Sequence, residues 1–157
     1  MAIPLYTRIG IRSKEFGTYL SLDGTDDKRP RDGGWPDTIT NVEYLKALEI
    51  FYLHYNTDGT VSFEGSTFPE AFLRLDGTGV PAGFNKPGGG GTVNSQYEIA
   101  DWERFYIRRQ DDTTAFVAIE SAAFPGRYLR VDSAKNANVQ GVVLNWEKFE
   151  IVVLPPI

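Results

Sequence analysis

The chain has 157 residues, of which 41% are hydrophobic and 13% aromatic, and it contains no cysteine. A chain of this length buries roughly 70% of the surface that it exposes when unfolded, so one domain over residues 1–157 is expected to form a core without disulfides. The formal net charge of -5, from 16 basic and 21 acidic residues, has the wrong sign for binding nucleic acid through its phosphates.

The sequence also bears on where the protein acts. No apolar run approaches the ~20 residues that a membrane-spanning helix needs, so no membrane span is expected. The first residues, Met-Ala-Ile-Pro-Leu-Tyr-Thr-Arg, lack the basic and apolar segments of a classical signal peptide. The absence of cysteine suits a reducing compartment. We therefore expect a soluble protein that is cytoplasmic, or released without a classical signal peptide.

The first predicted unit covers about residues 6–56. It opens with an alternating strand, whose period of two is typical of a strand with one buried face. A turn at Phe16-Gly17 leads to a second strand that contains Leu20 and ends at Asp23, and a long loop, 24–38, follows it. The four strands of this unit are predicted at residues 9–12, 17–24, 40–45 and 49–54.

The same order of strands and turns returns twice, in units at about 57–112 and 113–157. Leu73 and Leu129 repeat Leu20 at spacings of 53 and 56 residues, and each is followed by an alternating apolar residue and an aspartate. A phenylalanine and a turn residue precede each copy, at Phe68-Pro69 and Phe124-Pro125. The remaining predicted strands lie at 61–64, 70–77, 93–99 and 103–108, and at 117–120, 126–133, 139–144 and 147–152.

Three units of four strands predict an all-β, pseudo-threefold symmetric fold of twelve strands, the β-trefoil. Six strands would close a barrel and three hairpins would cap it, which leaves no exposed sheet edge to seed aggregation. A two-sheet sandwich is the structural alternative, but it does not require a threefold repeat.

The repeated order also resembles known families. A strand, a Phe-Pro or Phe-Gly turn, an aromatic-Leu-x-apolar-Asp segment and Glu-x-Phe-x-apolar resemble the units of fascin-like and hisactophilin-like trefoils. The segments 66–74 and 122–130 are similar to arabinose-binding trefoil modules, which imply binding of a sugar. In place of those modules' histidine the chain has Leu75 and Val131, and the Gln-x-Trp triplet of ricin-type lectins is absent. The sugar-binding residues of these families are therefore not transferred.

Residues for catalysis are scarce in the sequence. The one histidine, His54, is expected on the surface of a closing strand with no nucleophile beside it. The pairs Asp26-Asp27 and Asp111-Asp112 fall in turn-rich segments, where aspartate bonds its own backbone. Residues 88–91 are four glycines without the Lys-Ser/Thr of a phosphate-binding loop, and they predict a flexible loop. We expect no enzyme activity, no metal and no cofactor.

Two long loops are the most irregular features of the repeat, at residues 24–38 and 77–92. Loops of more than about 12 residues are usually functional or mobile. Each carries one large aromatic residue, Trp35 or Phe84, which could stack on a sugar or fold back over the barrel mouth.

Arg74, Arg130 and Tyr128 are expected on the outer face, beside the repeated aspartates, and could line a site there. The alternative is that the aspartates only stabilise turns. The candidate ligand-binding residues are Asp23, Trp35, Asp37, Arg74, Asp76, Phe84, Asn85, Tyr128, Arg130, Asp132 and Asn136.

The function favoured by these features is non-enzymatic carbohydrate binding, as in a lectin. Loop aromatics and polar side chains would hold the sugar, at up to three sites, and several weak sites would give avidity for clustered glycans. Two alternatives remain open: a fascin-like module that binds actin or another protein, and a protease inhibitor that inserts a long loop into the protease.

Overall fold

The structure is a computed structural model, and it describes residues 6–23, 38–42, 46–111, 113–134 and 136–155. For Tyr6, Asp23 and residues 38–42 it describes the backbone alone. Among the described residues no helix is long and apolar enough to cross a membrane.

Twelve strands are present in the described part of the chain, four in each predicted unit. The first unit contains β1 (Tyr6–Ser13), β2 (Tyr19–Asp23), β3 (Thr38–Val42) and β4 (Phe51–Tyr55). The second contains β5 (Val61–Gly65), β6 (Phe72–Asp76), β7 (Thr92–Gln96) and β8 (Phe105–Arg109). The third contains β9 (Phe116–Ser121), β10 (Tyr128–Val131), β11 (Ala137–Gln140) and β12 (Phe149–Val153).

The first and fourth strands of the three units form a closed barrel. Around the ring, β1 pairs with β4, β4 with β5, β5 with β8, β8 with β9, β9 with β12, and β12 with β1, all antiparallel. The second and third strands of each unit pair as hairpins, β2 with β3, β6 with β7 and β10 with β11. A six-stranded barrel with three hairpins is a β-trefoil, and the predicted fold class is confirmed.

The core lies where apolar residues of the three units meet. Leu20, Leu73 and Leu129 have no exposed surface, and the same holds for the first phenylalanine of each closing strand. Burial of a phenylalanine or leucine side chain is worth about 1.5–3 kcal/mol, so each of these six positions contributes to the stability of the fold. The phenylalanines are Phe51, Phe105 and Phe149.

The closing strands begin later than predicted, at phenylalanine rather than at glutamate. Residues Ala47–Glu49 and Asp101–Glu103 form single 3-10 turns, and each ends in the glutamate with which the strand was expected to start. The Glu103 carboxylate accepts a hydrogen bond from the Ala100 backbone amide, 2.7 Å. This contact closes the turn, so the glutamate caps it instead of opening a strand. The third strands of the second and third units also end early, at Gln96 and Gln140.

In each unit, the turn that follows the repeated phenylalanine, Phe16, Phe68 or Phe124, places one residue in the left-handed region. That residue is Gly17 in the first unit, with φ of 66°, and Gly126 in the third, with φ of 79°. In the second unit it is Glu70, with φ of 70°. Glycine adopts such angles without strain, whereas a residue with a Cβ atom does not.

Candidate functional site

The second unit contains a buried ion pair beneath a tryptophan. Arg74 of β6 is only 5% exposed, and its Nε lies 3.8 Å from Oε2 of Glu103. The Arg74 guanidinium covers the ring of Trp102, with 4.3 Å from Cζ to the ring centroid. Its Nη1 donates a hydrogen bond to Oδ1 of Asn94, 3.2 Å. The Glu103 carboxylate, the Trp102 ring and the Asn94 amide together hold the guanidinium in one position.

The third unit repeats this arrangement. Arg130 of β10 is 8% exposed, and its Nε lies 3.5 Å from Oε2 of Glu147. Its Cζ lies 4.6 Å from the centroid of the Trp146 ring. Its Nη1 donates to Oδ1 of Asn138, 3.1 Å, and to the carbonyl of Gly88, 3.2 Å. Two units therefore hold an Arg-Trp-Glu cluster at the same position of the repeat.

The first unit has a smaller polar contact at this position. Ser21 of β2 takes the place of the arginine, and its hydroxyl donates a hydrogen bond to Oε2 of Glu49, 2.8 Å. Leu48 takes the place of the tryptophan. The buried glutamate is thus common to all three units, whereas the buried cation is found only in the second and third at this repeat position.

The glutamates of the two clusters have shifted acidities. Burial raises the pKa of Glu103 and of Glu147, and this effect outweighs the hydrogen bonds from the backbone amides and the attraction of the arginines, which lower it. For Glu103 the nearby carboxylates of Glu98 and Asp101 raise the pKa further. Each arginine is therefore paired with a carboxylate whose charged form is disfavoured by burial.

Each Arg-Trp-Glu cluster forms the floor of an open cleft. The second-unit cleft has a volume of about 310 Å³, and the third-unit cleft of about 260 Å³. The second-unit cleft is lined by Arg74, Gln96, Glu98, Ala100, Asp101, Trp102 and Glu103. The third-unit cleft is lined by Asn85, Arg130, Leu144, Asn145, Trp146 and Glu147.

The tryptophans are fixed on more than one side. The Trp102 ring meets the Phe124 ring at 5.2 Å between centroids, and the Trp146 ring meets Phe16 at 5.3 Å. Each phenylalanine belongs to the hairpin turn of another unit. Each tryptophan ring is covered by an arginine on one side and by a phenylalanine on another. The rings therefore serve mainly to position the arginines of the cleft floor, and they leave little free surface on which a sugar could stack.

Trp102 also borders a third hollow, with a volume of about 460 Å³. Its Asp58 carboxylate already accepts hydrogen bonds from Thr60 Oγ1, 2.6 Å, and from Arg104 Nη1, 2.9 Å. Because these polar groups satisfy each other, the hollow offers fewer fixed groups to a ligand than the two smaller clefts.

The loop at 77–92, whose four glycines were predicted to be flexible, is docked on the third unit by backbone hydrogen bonds. Gly83 donates its amide to the carbonyl of Gly141, 2.8 Å, and Gly90 and Val139 exchange both backbone hydrogen bonds, 2.8 and 2.9 Å. A Cβ atom on Gly141 would collide with the carbonyls of Pro81 and Phe84. Glycine at 141 therefore permits the close approach, and paired backbone groups hold the loop.

Docking of this loop brings two predicted site residues to the third-unit cleft. Asn85 lines the cleft, and its Oδ1 accepts a hydrogen bond from Nε2 of Gln140, 3.0 Å. Its neighbour Phe84 is 67% exposed, so it does not fold back over the barrel. Leu144, 52% exposed, lines the same cleft.

The arginines were predicted on the outer face, and this orientation is wrong. Arg74 and Arg130 are buried because a carboxylate, an amide and an aromatic ring replace their contacts with water. They line the two clefts from below. Tyr128 of β10 lines neither of the two clefts. Burial is the main cause that raises the pKa of its hydroxyl group, and the charge of Glu120 raises it further.

Asp76 is the last residue of β6 and Asp132 directly follows β10, and neither of them lines a cleft. Oδ1 of Asp76 accepts a hydrogen bond from the amide of Thr78, 2.9 Å. Oδ1 of Asp132 accepts from the amides of Ala134 and Asn136, both 3.0 Å. These hydrogen bonds are the turn-stabilising contacts that were expected as the alternative to a role in binding. Trp35 and Asp37 lie outside the described residues, as does the side chain of Asp23.

Most residues that line the clefts were not predicted as site residues from the sequence, including Asp101, Trp102, Asn145 and Trp146. One signal was present, because the pair Trp-Glu occurs at 102–103 and again at 146–147, at the same position of the repeat. Within the described residues no group of three His, Cys, Asp or Glu side chains is placed to hold a metal ion.

Solved structures share this fold over nearly the whole chain. SeviL bound to asialo-GM1 saccharide is 11% identical, with a TM-score of 0.68 and coverage of 93% of this chain and 96% of that one. The Rhizoctonia solani agglutinin is 12% identical, with a TM-score of 0.69 and coverage of 98% and 99%. The designed threefold-symmetric protein ThreeFoil is 13% identical, with a TM-score of 0.70 and coverage of 94% and 99%.

These similarities define the class of fold, a β-trefoil that is shared with lectins and with a designed symmetric protein. The sequence matches no protein-family model and no curated protein significantly. At identities of 11–13% the likeness concerns the fold, and the ligand has to be argued from the clefts.

Proposed function

We propose that this protein binds carbohydrate without catalysing a reaction, and that the second-unit and third-unit clefts hold the sugar. The observation that carries the proposal is the repetition of one cluster, a buried arginine fixed between a tryptophan and a glutamate, under an open cleft in two units. Ligand sites typically combine a concave surface with a few fixed polar groups, and both clefts have this composition.

The polar groups of the clefts suit hydroxyl groups. Arginine supplies donors whose directions are fixed, and hydrogen bonds from a charged donor are stronger than those from a neutral one. Asn145 and Asn85 add donors and acceptors at the rim of the third-unit cleft, where Asn145 is exposed. Phe84 stands beside Asn85 with 67% of its surface exposed, and it can cover the apolar face of a sugar ring.

The known folds support this choice in a general way. SeviL is a trefoil with a bound saccharide and the R. solani protein is an agglutinin, so the same fold serves proteins that engage glycans. Two clefts on one chain would also give avidity for clustered glycans where geometry lets both engage together.

A glycan-array screen followed by calorimetric titration tests the proposal. The informative variant is Phe84→Ala, because Phe84 adjoins Asn85 of the third-unit cleft. Tyr55→Ala is its matched control, because Tyr55 is an equally exposed aromatic residue, 66%, whose chain neighbours line neither cleft. We expect Phe84→Ala to weaken glycan binding several-fold and Tyr55→Ala to leave it unchanged. Absence of binding to any glycan, or equal losses in the two variants, would contradict the proposal.

One observation favours a second candidate, inhibition of a protease. The loop at 77–92 is held by hydrogen bonds to the third unit and presents Phe84 to solvent, as a rigid loop that enters a protease cleft would. A panel of proteases that cleave after aromatic residues tests it. Inhibition lost in Phe84→Ala, together with an unresponsive glycan array, would favour this candidate over carbohydrate binding.

A further inference from the structure

The two clefts differ in charge although they share one cluster. The second-unit cleft is lined by one cation, Arg74, and by three carboxylates, Glu98, Asp101 and Glu103, so its formal charge is 1 − 3 = −2. The third-unit cleft is lined by Arg130 and Glu147, so its formal charge is 1 − 1 = 0.

The difference arises at the rim and leaves the floor unchanged. Asp101 directly precedes Trp102-Glu103, and Asn145 directly precedes Trp146-Glu147, so aspartate and asparagine occupy the same place in the repeat. Both side chains are exposed, as is that of Glu98. The rim carboxylates act within their cleft, because they help to raise the pKa of Glu103. Among the described residues, no carboxylate raises the pKa of Glu147 in the same way.

The third-unit cleft also offers donors that suit an anion. The Arg130 side chain is 9% exposed, and its Nη1 is engaged by Gly88 and Asn138. Within the described residues its Nη2 makes no hydrogen bond. The amide group of Asn85, whose Oδ1 already accepts from Gln140, is a further donor at the same cleft. Guanidinium and amide donors are common partners of carboxylates.

We propose that the third-unit cleft accepts acidic sugars, those that carry a carboxylate, whereas the second-unit cleft excludes them and accepts neutral sugars. This inference rests on the proposed function. Specificity of this kind depends on the repulsive group as much as on the attractive one, and here Glu98 and Asp101 are the repulsive groups. The cation of Arg130, facing a single carboxylate, is the attractive one.

Reciprocal exchange of the rim residues tests the inference. The probe is an array on which each glycan is printed with and without its terminal sialic or uronic acid, and the readout is the ratio of acidic to neutral binding. Asn145→Asp gives the third-unit cleft the rim charge of the second, and Glu98→Gln with Asp101→Asn removes the rim charge of the second. All three positions are exposed, so the variants are expected to fold.

We expect Asn145→Asp to lower the ratio and the Glu98→Gln/Asp101→Asn pair to raise it, each by roughly two- to fivefold per charge, the range of exposed charge pairs. Both changes should shrink in 0.5 M salt, because salt screens the interaction between exposed charges. A wild-type protein that binds neutral glycans only, or a ratio that neither variant moves, overturns this inference and leaves the proposed function standing. No binding to any glycan overturns both.

Discussion

Nε of Arg130 lies 3.5 Å from Oε2 of Glu147, and both side chains are more than nine-tenths buried. Removing one partner of such a pair leaves a buried charge without compensation, which typically costs about 3–5 kcal/mol. The glutamate has a second role, because its Oε1 accepts a hydrogen bond from the Leu144 amide, 2.7 Å. The pair is therefore both an ion pair and a turn cap.

The first prediction concerns this double role. Arg130→Met should lower the free energy of unfolding by about 3 kcal/mol, because Glu147 is left buried and unpaired. The double variant Arg130→Met/Glu147→Gln should recover more than half of that loss, since glutamine keeps the acceptor for Leu144 and carries no charge. Urea unfolding at pH 7 measures these two variants together with Glu147→Gln. If the loss in the double variant equals the sum of the two single losses, charge compensation is not the cause.

A second prediction follows from the raised pKa of the buried glutamates. When the folded pKa lies above the unfolded value of about 4.3, the folded state holds the proton more tightly. This stability is fully present below the unfolded pKa and is lost as pH rises through the folded pKa. Between pH 4 and 7 the wild type should therefore lose stability relative to a Glu103→Gln/Glu147→Gln variant. Glu15→Gln, at an exposed site, is the control, and an equal pH slope in both variants would refute the assignment.

The third prediction concerns the left-handed residue of the second-unit turn. Glu70→Gly should raise the free energy of unfolding by up to about 1 kcal/mol, because glycine removes the strain of a Cβ atom at φ of 70°. Gly126→Ala, at the corresponding position, should be destabilising, since its Cβ would also approach Ala82 to 3.0 Å. Thermal melts that show the opposite order would contradict this account of the turn.

The fourth prediction separates core from cleft. Leu129→Ala should cost roughly 2–5 kcal/mol, as for other fully buried leucines, and Leu73→Ala should behave alike. Phe84→Ala should change stability by less than about 0.5 kcal/mol, because most of its side chain is in solvent. Chemical denaturation of the three variants gives the comparison. A larger loss for Phe84→Ala than for the leucines would show that Phe84 belongs to the core.

The fifth prediction tests the docked loop. Gly141→Ala should displace the loop from the third unit, since its Cβ would overlap two backbone carbonyls. Amide exchange at Gly83 and Gly90 should then accelerate, because their hydrogen bonds to the third unit are lost. Gly65→Ala is the control, for its Cβ would meet only ordinary contacts at 3.5 Å or more. Unchanged exchange in Gly141→Ala would mean that the loop tolerates the added methyl group.

The fold could be predicted because the repeat places its apolar residues at matching positions. Leu20, Leu73 and Leu129 mark the units, and all three are fully buried. The site could be predicted only in part, because charge in a sequence is normally a sign of exposure. Arg74 and Arg130 are exceptions, since the fold pairs each of them with a glutamate distant in sequence and places each over a tryptophan ring. No local pattern reports such a pairing.

The docked loop has a consequence for the internal symmetry of the chain. Gly141 follows Gln140 of β11, and the residue that follows Gln96 at the same position of the second unit is Tyr97. A protein assembled from three identical copies of the second unit would have a tyrosine at each position where the loop requires a glycine. The loops could then not pack against the neighbouring units. One made from three copies of the third unit would keep the glycine and lack the loop. Duplication of a single unit cannot reproduce this surface, and the divergence of the second and third units is a structural requirement of their contact.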